Sequence, residues 1–132
     1  MANNLQDFVI AVVDDDQRIG ESLNELLESA GYAVRLFASA EALLERDHLA
    51  EIDCIISDID LPKIDGFELL HLVHGARPKL PVMLITGHPE LVDRLSPIGR
   101  SCYRLFSKPF AAEELLGAVN DAVRNPRQPG TT

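Results

Sequence analysis

Short apolar runs alternate along this chain with stretches in which apolar residues return every three or four positions, about five times over. The runs fall at 8–13, 33–37, 53–57, 81–85 and 101–106. Continuous apolar runs of this length suit strands buried on both faces. Between the first two, Ile19, Leu23, Leu26, Leu27 and Ala30 share one helical face, and Gly31 is placed to stop that helix. Ser39 can cap a short second helix that carries Ala42, Leu43 and Leu44. Phe67, Leu69, Leu70 and Val73 mark a third helix, ending near Gly75. A weak fourth helix is expected over 89–95. A stronger last one is expected over 111–124, with Leu115, Leu116, Val119 and Val123 on one face. Strand–helix alternation with short links predicts parallel strands, right-handed crossovers and helices on both faces of one sheet, a doubly wound α/β fold.

A length of 132 residues allows one domain, and an apolar fraction of 46% is enough for a real core. The formal net charge of −9 argues against direct binding to nucleic acid, whose phosphates need a basic face, and against an anionic membrane surface. No apolar run approaches the length that crosses a bilayer, and the opening MANNLQDF lacks the basic start of a signal peptide. A cytoplasmic setting is expected. Cys54 and Cys102 both lie in apolar, strand-like segments without Cys-x-x-Cys spacing, so they read as buried free thiols. The last residues, NPRQPGTT, are rich in proline and polar groups. A folded domain is therefore expected over 6–125 and a disordered tail over 126–132.

The chemistry-bearing residues stand where strands end. Asp14 and Asp15 close VIAVVDD, Asp58 closes CIISD with Asp60 in the turn IDLP, and Lys108 precedes Pro109 in YRLFSKP. A parallel α/β sheet binds ligands in a crevice beyond the carboxyl ends of its strands, so these groups should meet there. Clustered carboxylates repel one another. A divalent cation and a lysine ammonium would offset that repulsion.

Four motifs carry a resemblance: VVDD at 12–15, SDIDLPKIDG at 57–66, PVMLITG at 81–87 and SKPF at 107–110. Each falls in order at an expected strand end. Together they resemble the receiver domains of two-component response regulators, most closely those of nitrogen-fixation and nitrate regulators. The resemblance implies a flavodoxin-like sheet of strand order 2-1-3-4-5. It implies that Asp58 accepts a phosphoryl group from a sensor histidine kinase or phosphotransfer protein, forming an acyl phosphate. By the same resemblance Mg²⁺ is bound by Asp15, Asp58 and the backbone carbonyl of Asp60 directly, and by Asp14 through water. Lys108 pairs first with Asp58 and then with the phosphoryl group, aimed inward by a cis bond to Pro109. The Thr86 hydroxyl reports phosphorylation, Gly87 and Ile59 belong to the set around the bound group, and His88 with Asp60 tunes its lifetime. A downstream protein partner, or a dimer through the face of the fourth helix, fifth strand and last helix, would read the change.

Read without the resemblance, Thr86 is an ordinary β-former and Gly66 ordinary turn chemistry. His71 and His74, three apart on a helix, read as solvated side chains because no further ligands stand at zinc spacing. No dinucleotide, Walker or Ser-His-Asp pattern is present.

The chain departs from the receiver pattern in two places. Leu105 stands where the family often has Tyr or Phe, and strand period would put Tyr103 on its side. Pro97 and Gly99 fall where the fourth helix would run, and an interior proline costs about 3 kcal/mol, so a short or distorted helix is expected there. The leading expectation is a receiver that signals by protein contact, either standing alone or cut from a longer regulator. The alternatives are a docking module that is never phosphorylated, and a phosphatase that uses Asp58-Ile59-Asp60 as a DxD motif.

Overall fold

The computed structural model describes residues 8–45, 48–88 and 102–125. Five parallel strands form one sheet: β1 (Val9–Val13), β2 (Ala33–Phe37), β3 (Cys54–Asp58), β4 (Val82–Thr86) and β5 (Arg104–Ser107), in the order β2-β1-β3-β4-β5. The four described helices are α1 (Gln17–Ser29), α2 (Ala40–Leu44), α3 (Gly66–Ala76) and α4 (Ala112–Arg124), with a 3₁₀ turn at His48–Glu51. The expected doubly wound fold and strand order are both present.

Alternation along each strand divides the core into two layers. Ile10, Val12, Ile56, Met83, Ile85 and Phe106 face α1 and α4, where Leu27, Leu115, Val119 and Ala122 meet them. Ala11, Val13, Ile55, Val82 and Leu84 face α2 and α3, where Leu43, Leu69, Leu70 and Val73 pack. Because β1, β3 and β4 are covered on both faces, they are buried almost throughout and apolar up to the polar residues at the ends of β3 and β4, whereas β2 and β5 lie at the edges and carry exposed residues.

Local signals set the helix ends. Asp16 caps α1 by accepting from the Arg18 amide, Ser39 caps α2 through the Ala42 amide, and Asp65 caps α3 through the Glu68 amide. Gly31, at φ 102°, takes the left-handed turn that ends the α1 segment.

The observed boundaries differ from the sequence reading at four strands, β1 beginning at Val9 rather than Phe8. Backbone pairing carries β3 through Asp58 and β4 through Thr86, one residue beyond the apolar pattern, because Asp58 is in register with Ile85 and Thr86 with Ser107. β5 begins at Arg104 rather than 101. Tyr103 therefore precedes the strand and does not follow its period. It packs on the α1–α4 layer, whereas Leu105 is in register with Leu84, whose side chain belongs to the other layer. The expected fourth helix at 89–95, its distortion near Pro97 and Gly99, and the tail at 126–132 lie outside the described residues.

Both thiols are free and buried. Burial pushes the Cys54 thiol far up and Cys102 to about 11. Neither should form thiolate near neutrality, so neither should react with iodoacetamide in the folded protein at pH 7.5, while both react in urea. Mass spectrometry after brief labelling would check this.

Candidate functional site

The strand register alone lines up most of the site. Val13 is opposite Ser57, Asp58 opposite Ile85, and Ile85 opposite Phe106. Asp14 and Asp58 thus stand in one row at the carboxyl edge, with Thr86 one step and Lys108 two steps further along their strands. The strand order reverses between β1 and β3, which is where such a sheet opens a ligand crevice. Asp14, Asp15 and Asp58 each bring a carboxylate oxygen to within 4.8 Å of the others. Asp14 and Asp58 are buried, each 7% exposed, and Asp15 is open to solvent.

Each buried carboxylate is held by a backbone amide. Asp14 Oδ1 accepts from the Asp16 N–H at 2.8 Å, and Asp58 Oδ1 accepts from the Asp60 N–H at 3.1 Å. The remaining oxygen of Asp58, Oδ2, lies 3.6 Å from Lys108 Nζ. Lys108 is anchored by its own amide, which donates to the Thr86 carbonyl, and its bond to Pro109 is cis as expected. Burial raises the Asp58 carboxyl above its ordinary value, against the Asp60 amide and Lys108, which lower it. Asp14 is likewise raised, first by burial and then by the neighbouring Asp58 charge, although the Asp16 amide opposes this. One ammonium and two amides thus leave a net excess of unneutralised negative charge. Three oxygen ligands around a solvent-open side suit a hard cation that keeps several waters, so the donor set fits Mg²⁺.

The remaining expected residues are close at hand in the chain. Thr86 is buried, 2% exposed, and its hydroxyl oxygen accepts from the His88 amide at 2.8 Å. Gly87 is exposed, and a Cβ there would meet nothing within 4 Å. Ile59 buries its side chain in the α2–α3 layer and donates its amide to the Ile85 carbonyl. Asp60 is exposed beside Asp58. His71 is exposed, in keeping with its solvated reading. His74 is not: it is half-buried, its Nε2 has no hydrogen-bond partner among the described residues, and burial lowers its pKa.

Two residues that shape the site were not singled out for it from the sequence. Gly66 packs so tightly under the β3 end that a Cβ would lie 2.7 Å from Ile59 Cα and 2.8 Å from the Asp58 carbonyl oxygen. Glu41 reaches from α2 to the Ile64 amide in the β3–α3 loop. Neither contact leaves a local sequence signal. Asp16 did leave one, an Asp just before an amphipathic run.

The response regulator receiver domain family matches residues 10–120. The chain belongs to this family. Among its relatives, the transcriptional regulatory protein FixJ of Bradyrhizobium diazoefficiens is 33% identical over 115 residues, covering 87% of this chain and 56% of FixJ. The DNA-binding transcriptional regulator NtrC of a Bradyrhizobium strain is 34% identical over 119 residues, covering 90% of this chain and 25% of NtrC. This receiver domain thus spans about half or less of these relatives. Among solved structures, the signal receiver domain of an HD domain-containing protein from Pseudomonas fluorescens has 32% identity and a TM-score of 0.81 over 96% of this chain and 93% of its own. The response regulator TrrA of Thermotoga maritima, in complex with Mg²⁺ and BeF, has 27% identity and a TM-score of 0.77 over 86% of this chain and 97% of its own. Receiver domains of this family serve phosphorelay signalling, interact with histidine kinases and bind Mg²⁺ at an acidic pocket. The Asp14–Asp15–Asp58 cluster is such a pocket. A match along nearly the whole domain favours neither the DxD phosphatase nor the phosphorylation-independent docking module.

Proposed function

We propose that Asp58 is the phosphoacceptor of this receiver and that a histidine kinase or phosphotransfer protein is its donor. The observation that carries the proposal is the meeting of three carboxylates within 4.8 Å of one another with Lys108 Nζ 3.6 Å from Asp58 Oδ2. An Asp58 oxygen attacks the phosphorus of a phosphohistidine, the P–N bond breaks, the imidazole leaves with the bonding pair, and an acyl phosphate forms. Such a transfer asks a protein mainly for positioning and charge neutralisation. Lys108 follows the charge from the carboxylate to the phosphoryl oxygens. The Asp60 amide holds Oδ1, which leaves Oδ2 as the attacking atom. Asp15, Asp58 and the Asp60 carbonyl would hold Mg²⁺, with Asp14 acting through water, and the bound ion would neutralise phosphoryl charge. Thr86, Gly87 and Ile59 stand at the ends of β4 and β3, where the new group arrives.

The acyl phosphate then shifts a pre-existing balance of conformations that a downstream protein, or a second copy, reads. Leu105, 36% exposed on β5, offers an aliphatic surface there instead of an aromatic switch. The acidic surface leaves direct nucleic-acid contact out of the reading, and the donor kinase places the work in the cytoplasm.

With acetyl phosphate and Mg²⁺, the intact mass should rise by one phosphoryl group. The gain should vanish with excess chelator and be released by hydroxylamine, as an acyl phosphate is. Absence of any gain, both from acetyl phosphate and from a phosphohistidine donor, would overturn the proposal.

A further inference from the structure

Between Asp58 and α3 the chain runs through a loop, 59–65, that carries Asp60 past the acidic cluster. Most of its hydrogen bonds are short-range. The Asp60 amide returns to Asp58 Oδ1, and the amides of Leu61 and Gly66 both return to the Ile59 carbonyl. Two bonds reach further: the Ile59 amide, at the loop's start, continues the sheet by donating to the Ile85 carbonyl, and the other goes to a side chain on a helix. The Ile64 amide donates to Glu41 Oε2 at 3.3 Å, across 23 positions of sequence. Glu41 lies in the first turn of α2, half-buried, on a helix whose start is fixed by the Ser39 cap and whose Ala40 and Leu43 are fully buried. Its carboxylate is therefore presented from a fixed base. The residue just before Ile64, Lys63, is held at φ 64°, a left-handed conformation that residues with a Cβ enter only when their surroundings hold them there.

We infer that Glu41 is a positioning residue for the site. Its carboxylate pins the β3–α3 loop through Ile64, keeps Lys63 in its left-handed turn and so sets how tightly the acidic cluster takes a divalent cation. The inference rests on the reading of Asp58 and its neighbours as a metal-dependent phosphoacceptor. Outer groups that orient metal ligands commonly change metal affinity by about 10- to 100-fold. Glu41 acts through a loop amide rather than on a ligand directly, so a smaller effect of about 3- to 10-fold is expected.

Removing Glu41 also removes a negative charge, which would weaken cation binding without any latch. Glu41→Gln separates the two effects, because it keeps an oxygen acceptor and drops the charge. The test uses the full chain of wild type, Glu41→Ala and Glu41→Gln. Mg²⁺ is titrated by amide NMR shifts, and Ile64 amide exchange is measured without metal. In Glu41→Ala, Mg²⁺ affinity should fall about 3- to 10-fold and the Ile64 amide should exchange at least about tenfold faster. Glu41→Gln should stay within about twofold of wild type on both readings. A matched thermal melt identifies any loss that is merely global. Unchanged Mg²⁺ affinity in Glu41→Ala, or a Gln variant as weak as the Ala variant, overturns the inference and leaves the phosphoacceptor reading standing. A wild type that binds no Mg²⁺ sinks the phosphoacceptor reading and this inference with it.

Discussion

Asp58→Asn should gain no phosphoryl group from acetyl phosphate and Mg²⁺, and without metal it should be more stable than wild type by about 1 kcal/mol at neutral pH. With Asp58 as the proposed phosphoacceptor, loss of transfer follows from replacing its attacking carboxylate oxygen by an amide. The stability gain follows from the environment. Asp58 is 7% exposed, its carboxyl is raised first of all by burial, and its oxygens lie within 4.8 Å of those of Asp14 and Asp15. Asparagine relieves that charge yet can still accept from the Asp60 amide that now holds Oδ1. Lys108 loses its partner, but its side chain is 31% exposed and can turn to water.

The pH dependence has a definite sign. A carboxyl raised in the folded state binds its proton more tightly there than in the unfolded chain. Its contribution is therefore most favourable below the ordinary value of 3.8 and is lost as pH rises through the raised one. The advantage of Asp58→Asn should be small in acid, grow across that window and level off toward neutrality. Urea unfolding in chelator at a series of pH values would measure it. With Mg²⁺ the order should reverse, because a ligand that binds only the folded state stabilises the protein that holds it best. Equal stability of the two proteins in chelator at pH 7 would contradict the account of Asp58 as a penalised buried charge.

What the sequence made legible, and what it left hidden, follows the range of the interactions. The inner strands are apolar on both sides because both faces of the sheet are covered, so β1, β3 and β4 stood out as continuous runs. The acidic cluster was legible for a related reason. Each of Asp14, Asp58 and Lys108 follows an apolar run, and parallel strands bring their ends to one edge whatever lies between them. Tyr103 was misplaced because strand period was extended to a residue that hydrogen-bonds to β4 but lies before β5. His74 was read as solvated because no further ligands stand at zinc spacing, which says nothing of what packs over a helix end. Glu41 gave no signal at all. A charged residue in the first turn of a short helix is common, and only the folded chain brings it to Ile64.

Gly66 shows the same limit most sharply. Beside Asp65 it reads as a turn glycine, and at its observed place it opens α3 as an ordinary helical residue without positive φ. Its requirement is space. Its amide donates to the Ile59 carbonyl at 2.9 Å, and that close approach leaves 2.7 Å between a would-be Cβ and Ile59 Cα, and 2.8 Å to the Asp58 carbonyl oxygen. Both neighbours are backbone at the end of a central strand, fixed by the Ile59–Ile85 hydrogen bond, so neither can swing aside as a flexible side chain would. Gly66→Ala should therefore cost about 2–4 kcal/mol in urea unfolding, as overpacking against backbone does, even though alanine is the better helix former. Because the displaced atoms belong to Asp58 and Ile59, whatever folds should also take phosphoryl from acetyl phosphate about tenfold more slowly or worse. Gly87→Ala is the matched contrast: its Cβ meets nothing within 4 Å, so its stability should change by less than about 0.5 kcal/mol. If Gly66→Ala unfolds at the same urea concentration as Gly87→Ala, the β3–α3 junction yields more easily than its geometry implies, and the tight seat beneath Asp58 is not what fixes the acceptor.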